Sequence, residues 1–125
     1  MSGERLSLTH TFDFEAAHFL PNVPEDHKCR RMHGHSFVVD LSVEGELDPH
    51  LGWVLDYGEI KDRVAPIRAR LDHYLLNEIE GLENPTSENI ALWIWRELAP
   101  TLPQLEAVTV RETCRNACTY RGPRE

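Results

Sequence analysis

The chain has 125 residues and a formal net charge of -8, with 13 Lys and Arg against 21 Asp and Glu. That length suits one domain, 1–125, with a modest core, and the acidic balance excludes a general nucleic-acid surface, which needs a basic face. No apolar run approaches the roughly 20 residues that cross a bilayer, no signal pattern opens the chain, and three cysteines form neither an even set nor a CxxC; a cytoplasmic protein with reduced thiols is expected.

The first element alternates. Leu6, Leu8, Phe12, Phe14, Ala16 and His18 share one parity, and Ser7, Thr9, Thr11, Asp13 and Glu15 share the other. Strand side chains alternate between faces, so His18 ends a strand on its apolar side. A loop from Phe19 to Met32 follows, in which Lys28, Arg30 and Arg31 surround Cys29. This basic cluster reads either as a solvated loop or as a grip for an anionic small molecule. The next strand places His33, His35, Phe37, Val39, Leu41 and Val43 on one parity against Ser36, Asp40, Ser42 and Glu44, with Val38 as the exception. Antiparallel pairing of the two strands would bring His18, His33 and His35 together at one end of the sheet. Three imidazoles suit zinc and leave a fourth position open, the pattern of a catalytic site. The competing reading makes one or two of them hydrogen-bonded core histidines. Cys29 then stands beside a metal edge as nucleophile or base, or closes the site as a fourth, structural ligand.

After a turn-rich stretch from Glu46 to Gly52, where His50 is a polar turn residue, Asp56 with Glu59 resembles a capping box. The helix that follows carries Ile60, Val64, Ile67 and Leu71 as its apolar stripe, and Pro66 is expected to kink or interrupt it. At its end Asp72 and His73 offer a carboxylate that orients an imidazole acid or base, provided a turn or helix end lets adjacent side chains cooperate; otherwise they are a capping pair near the helix dipole. His27 is the rival partner for Cys29. A second helix opens near Asn84–Glu88 with Ile90, Trp93, Ile94 and Leu98 on its core face. A last strand is expected from Glu106 to about Cys114, with Glu112 in phase with Val108 and Val110, and a short segment at Thr119–Arg121 pairs with it or extends it. A buried carboxylate there must find a donor. An amino group beside a ring N–H would meet its two oxygens as an arginine does, and Arg111 or Arg115 is the structural alternative.

The order predicts an α+β fold: an antiparallel sheet of about four strands with two helices on one face. An apolar opposite face would call for another subunit, so oligomerisation is expected, and edge-to-edge association into a β-barrel would also remove exposed edges.

Cys29-x3-His33-Gly34-His35, Phe14-Glu15-Ala16-Ala17-His18, Leu71-Asp72-His73, Pro85-Thr86-Ser87-Glu88-Asn89 and Glu112-Thr113-Cys114 together resemble the 6-pyruvoyltetrahydropterin synthase and 6-carboxytetrahydropterin synthase family over nearly the whole chain. The three-residue gap before His33, with Gly81–Glu88 and the ending through Cys118 and Tyr120, looks most like its bacterial carboxy branch in queuosine and other 7-deazapurine pathways. The resemblance implies the tunnelling fold and a homohexamer of two stacked trimers with active sites at subunit interfaces. It implies one zinc per subunit on His18, His33 and His35, Cys29 as the proton-abstracting group, Asp72 and His73 as an acid–base relay, and Glu112 as the pterin anchor. Thr86 and Glu88 are implied in the pterin pocket, with helix capping as the alternative. The implied substrate is 7,8-dihydroneopterin triphosphate, and Lys28, Arg30 and Arg31 are candidates for its triphosphate. The competing readings are a pyruvoyl-type triphosphate lyase that retains the side-chain carbons and a non-catalytic zinc- or pterin-binding oligomer.

Overall fold

The computed structural model describes residues 3–112 and 115–124. Two long strands, β1 (Arg5–His18) and β2 (His33–Glu46), form the main hairpin; helices α1 (Tyr57–Leu71) and α2 (Ser87–Leu98) follow, then β3 (Leu105–Arg111) and β4 (Ala117–Tyr120). The sheet order is β1-β2-β3-β4, antiparallel throughout. β3 stops at Arg111, short of the expected end, so Glu112 lies beyond the strand; Thr113 and Cys114 fall outside the described residues.

The hairpin pairs without a slip from Arg5 opposite Glu46 to His18 opposite His33. One parity of each strand is therefore the core face: Phe12, Phe14, Phe37, Val39, Leu41 and Val43 are buried, and Phe14 stacks on Phe37 with ring centroids 4.9 Å apart. Both predicted helical stripes pack on that face, with Ile60, Val64, Ile67 and Leu71 from α1 and Ile90, Trp93, Ile94 and Leu98 from α2 buried. Asp56 caps α1 by accepting from the Gly58 amide, whereas Glu59 pairs with Arg63 rather than reaching back. α1 continues through Pro66, contrary to an interruption there. Proline removes one intrahelical donor and crowds the preceding turn, and here both Pro66 and Asp62, four residues earlier, are exposed, so water can meet the freed carbonyl. Behind β4, Gly122 has φ +93, and a Cβ there would lie 2.8 Å from the Trp95 ring. Glycine thus lets the chain leave the sheet against α2.

The opposite face of the sheet is polar, not apolar. Arg5 meets Glu44, Thr11 meets Asp40, Arg111 meets Asp40, and Thr109 meets Thr119 across the strands. Burial of an apolar back face is therefore no reason to associate, and the strand edges are what a partner could cover.

The outer edge of β1 is covered near its end by the chain that leaves α1. Arg68 Nε donates to the Asp13 carbonyl, the Glu15 amide donates to Asp72 Oδ1 at 2.9 Å, the His73 amide donates to the Glu15 carbonyl, and the Ala17 amide donates to the Tyr74 carbonyl. A carboxylate thus stands where the next strand's carbonyl would be. The Glu15 amide, then the His73 ring and Arg68, hold the Asp72 carboxyl below its ordinary range.

Two outcomes follow from these contacts. Leu41→Ala, at a fully buried site on a central strand, should cost about 2–5 kcal/mol, read as a lower urea midpoint with an unchanged slope. Because the folded pKa of Asp72 is depressed, its stabilisation is complete above the unfolded value of about 4 and is lost as pH falls through the folded value. Asp72→Asn should therefore flatten the acid limb of a stability–pH curve below about pH 4; a limb as steep as in the unsubstituted protein would contradict that placement.

Candidate metal centre and active-site cavity

The hairpin register delivers the predicted imidazoles to one place. His18 faces His33 directly and His35 sits one row inward, opposite Ala16. Their ring centroids lie 4.6 to 5.1 Å apart, and one ligand atom from each falls within 4.8 Å of the others. Two of the rings are oriented from behind: His18 Nδ1 bonds the Pro85 carbonyl at 2.8 Å and His33 Nδ1 bonds the Arg31 carbonyl at 2.7 Å. A carbonyl can only accept, so each Nδ1 carries a proton and, in the neutral ring, Nε2 is the nitrogen with the lone pair. His18 is 1 % exposed, and its Nε2 has no hydrogen-bond partner. Burial, opposed by the Pro85 carbonyl and Glu112, lowers its pKa and favours the neutral ring. A buried lone pair with no donor, beside two more imidazoles, is a site able to hold a metal ion.

Beside the triad opens a cavity of about 410 Å³ lined by Lys28, Cys29, His33, His35, Ser87, Glu112 and Asn116. Cys29 lies in a single 3-10 turn, Lys28–Arg30, and its thiol is free. His27, the rival partner, instead caps that turn, its Nδ1 accepting from the Cys29 amide at 3.0 Å. Of the basic cluster only Lys28 lines the cavity: Arg30 donates to the Val23 carbonyl, and Arg31 contributes its own carbonyl to His33. Glu112 reaches the cavity from a bend just past β3, its Oε1 4.0 Å from His18 Nε2. Arg111 is engaged with Asp40 instead.

Thr86 is the N-cap of α2, its hydroxyl accepting from the Asn89 amide. Glu88, in the first turn, is exposed, and its charge adds to burial in pushing the Cys118 thiol up. The α2 residue that lines the cavity is Ser87. Ser87 and Asn116 are not among the candidates expected from sequence: Ser87 stands between two that are, Thr86 and Glu88, and Asn116, just before β4, carries no periodic or capping signal.

The helix end supplies a turn that brings the side chains of Asp72 and His73 into contact. His73 takes φ +66, uncommon for a residue with a side chain, and its Nδ1 lies 2.9 Å from Asp72 Oδ2. His73 lines another hollow, of about 350 Å³, with Glu15, Tyr74 and His35 among its walls. Within one chain, then, the His73 imidazole and the Cys29 thiol line different hollows, and His35 lines both.

Comparison with known proteins follows the same lines. The family model for 6-pyruvoyl tetrahydropterin synthase matches residues 7–123. A 6-carboxy-5,6,7,8-tetrahydropterin synthase of Synechocystis sp. is 44% identical over 90% of this chain and 91% of its own. A dihydroneopterin monophosphate aldolase of Pyrococcus furiosus is 39% identical over 77% of each chain. The solved structure of Caenorhabditis elegans 6-pyruvoyl tetrahydropterin synthase superposes with a TM-score of 0.91 at 27% identity, over 98% of this chain and 99% of that one. Through residues 7–123 and the shared fold, this chain belongs to the 6-pyruvoyl tetrahydropterin synthase family and is an enzyme of the lyase type.

Proposed function

We propose that this enzyme converts 7,8-dihydroneopterin triphosphate and water to 6-carboxy-5,6,7,8-tetrahydropterin, acetaldehyde and triphosphate, with zinc on His18, His33 and His35, in queuosine or other 7-deazapurine biosynthesis. The observation that carries this reading is a free thiol and three imidazoles lining or bordering one cavity, with a buried, unpartnered His18 Nε2 among them. The donor set fits zinc: three imidazoles, two of them oriented by carbonyls from behind, with the cavity on the open side. The likeness to the Synechocystis enzyme supports the carboxy-forming reaction over the pyruvoyl-forming one.

When bound, the metal supplies a Lewis acid that polarises the oxygens of the substrate side chain and acidifies the C–H bonds beside them. The remaining work falls to the chain's own residues. Cys29, as thiolate, takes a proton from the activated carbon. His73 exchanges a second proton, its ring held by the Asp72 carboxylate at 2.9 Å. Glu112 receives the amino group and the adjacent ring N–H of the pterin on its two oxygens. Lys28, at the cavity wall, meets the triphosphate. Because His73 and the thiol line separate hollows of one chain, a neighbouring subunit brings the relay to each thiol. The assembly is a homohexamer of two stacked trimers whose sheets close edge to edge into a barrel.

Incubating zinc-loaded protein with 7,8-dihydroneopterin triphosphate should yield acetaldehyde and the carboxypterin in equal amounts; triphosphate release without acetaldehyde would instead indicate pyruvoyl-type chemistry. Cys29→Ala should keep its metal and assembly while turnover falls by about 10²–10⁴-fold, and zinc loss with unfolding would mark the thiol as a structural ligand. Lys28→Gln should raise KM and reduce its dependence on salt, with smaller effects for Arg30→Gln and Arg31→Gln, whose side chains do not line the cavity.

A further inference from the structure

We infer that Asn77 is a positioning residue for the metal ligand His18, fixing both the backbone that follows His18 and the loop that orients its ring. This rests on the reading that the imidazole triad binds metal.

Asn77 lies in the 3-10 turn Leu76–Glu78, 58 residues from Phe19 in sequence. Its Oδ1 accepts from the Phe19 amide at 3.0 Å and its Nδ2 donates to the Phe19 carbonyl at 2.8 Å. Both backbone groups of the residue next to His18 are thus held by one planar amide. Only one orientation of that amide satisfies both, since the Phe19 N–H needs an acceptor and its C=O needs a donor. The same Nδ2 makes a longer contact, 3.4 Å, with the Glu83 carbonyl. Glu83 is two residues before Pro85, whose carbonyl accepts from His18 Nδ1. From the other side Asn89 donates to the Asn84 carbonyl at 2.8 Å, and the Thr86 amide also donates there.

This placement matters because β1 ends at His18. Past that point the Phe19 amide and carbonyl no longer have a strand ladder, and a strand end without such partners frays. His35 lies inside β2, and His33, which opens that strand, is tied locally through its Nδ1 to the Arg31 carbonyl two residues before it. His18 closes β1, and Asn77 replaces the missing ladder beyond it with a side-chain clamp from a distant turn.

The test uses the full-length protein, purified without metal and titrated with Co²⁺, whose visible absorption reports imidazole coordination independently of turnover. The unsubstituted protein should develop a tetrahedral Co²⁺ spectrum; its absence would dispose of the metal reading itself and the inference with it. Asn77→Asp keeps the acceptor for the Phe19 amide but sets an anion against the Phe19 carbonyl, and Asn77→Ser shortens the clamp. Each should lower Co²⁺ affinity about tenfold, as loss of a support behind a ligand does, measured well below the metal-free melting temperature. A purely architectural asparagine would lower that melting temperature and leave the Co²⁺ affinity of the folded protein unchanged, and this outcome overturns the inference. Should neither variant fold, the unsubstituted protein still decides: metal loading should slow hydrogen exchange of the Phe19 amide, and an unaltered rate would overturn the assignment.

Discussion

Pairing β1 with β2 so that His18 meets His33 also sets which side of both strands is buried. The two consequences cannot be separated, because a strand repeats every two residues. A one-residue slip would send Phe12, Phe14 and His18 to the polar face together. The apolar residues that hold the register therefore also hold the ligands, and Phe14 stacked on Phe37 is the last apolar pair before the imidazoles begin. Phe37 lies edge-on to both His18 and His35, with centroids 5.4 and 5.7 Å away. The imidazole triad is the polar end of the hydrophobic core.

Burial at that end has a chemical effect. An imidazole that is 1 % exposed resists protonation, because its charged form would lose water without full compensation. The Pro85 carbonyl accepts a hydrogen bond from the one N–H that the neutral ring carries, which leaves Nε2 as a lone pair facing its neighbours. Metal binding requires that state. The site is thus prepared by desolvation and by a backbone acceptor, and Glu112, 4.0 Å from that nitrogen, opposes the lowering by its charge.

How much of this was legible in the sequence depends on whether a feature is periodic. The parity of Phe12, Phe14 and His18, and of His33, His35 and Phe37, predicted the face and hence the triad. The helical stripes were equally plain, since Ile60, Val64, Ile67 and Leu71 are spaced by one turn. What escaped were contacts made once, by residues distant in sequence. Ser87 and Asn116 enter the cavity, and Asn77 clamps Phe19, with no repeat to announce them. Pro66 does not interrupt α1, because the exposure that lets water meet a freed carbonyl is not visible to helix propensity. The back face misled for a related reason: alternation identifies its polar residues, Thr11 and Asp40 among them, while the expectation of a partner there requires an apolar face.

In the Asp72–His73 pair one carboxylate ties a strand edge to an imidazole. Asp72 completes the edge of β1 by accepting from Glu15, and with its other oxygen it holds His73. The first bond fixes the carboxylate on the sheet, and the second transmits that rigidity to a ring that is otherwise 77 % exposed. An exposed imidazole on a flexible tether would sample many orientations. This one is set by a helix end, a left-handed turn and a strand edge at once. Covering the edge from Asp13 to Ala17 with the chain's own segment also prevents another strand from pairing there, so any sheet closure must use the part of β1 before Asp13. The contacts that stiffen His73 thus also restrict where a neighbouring sheet can dock.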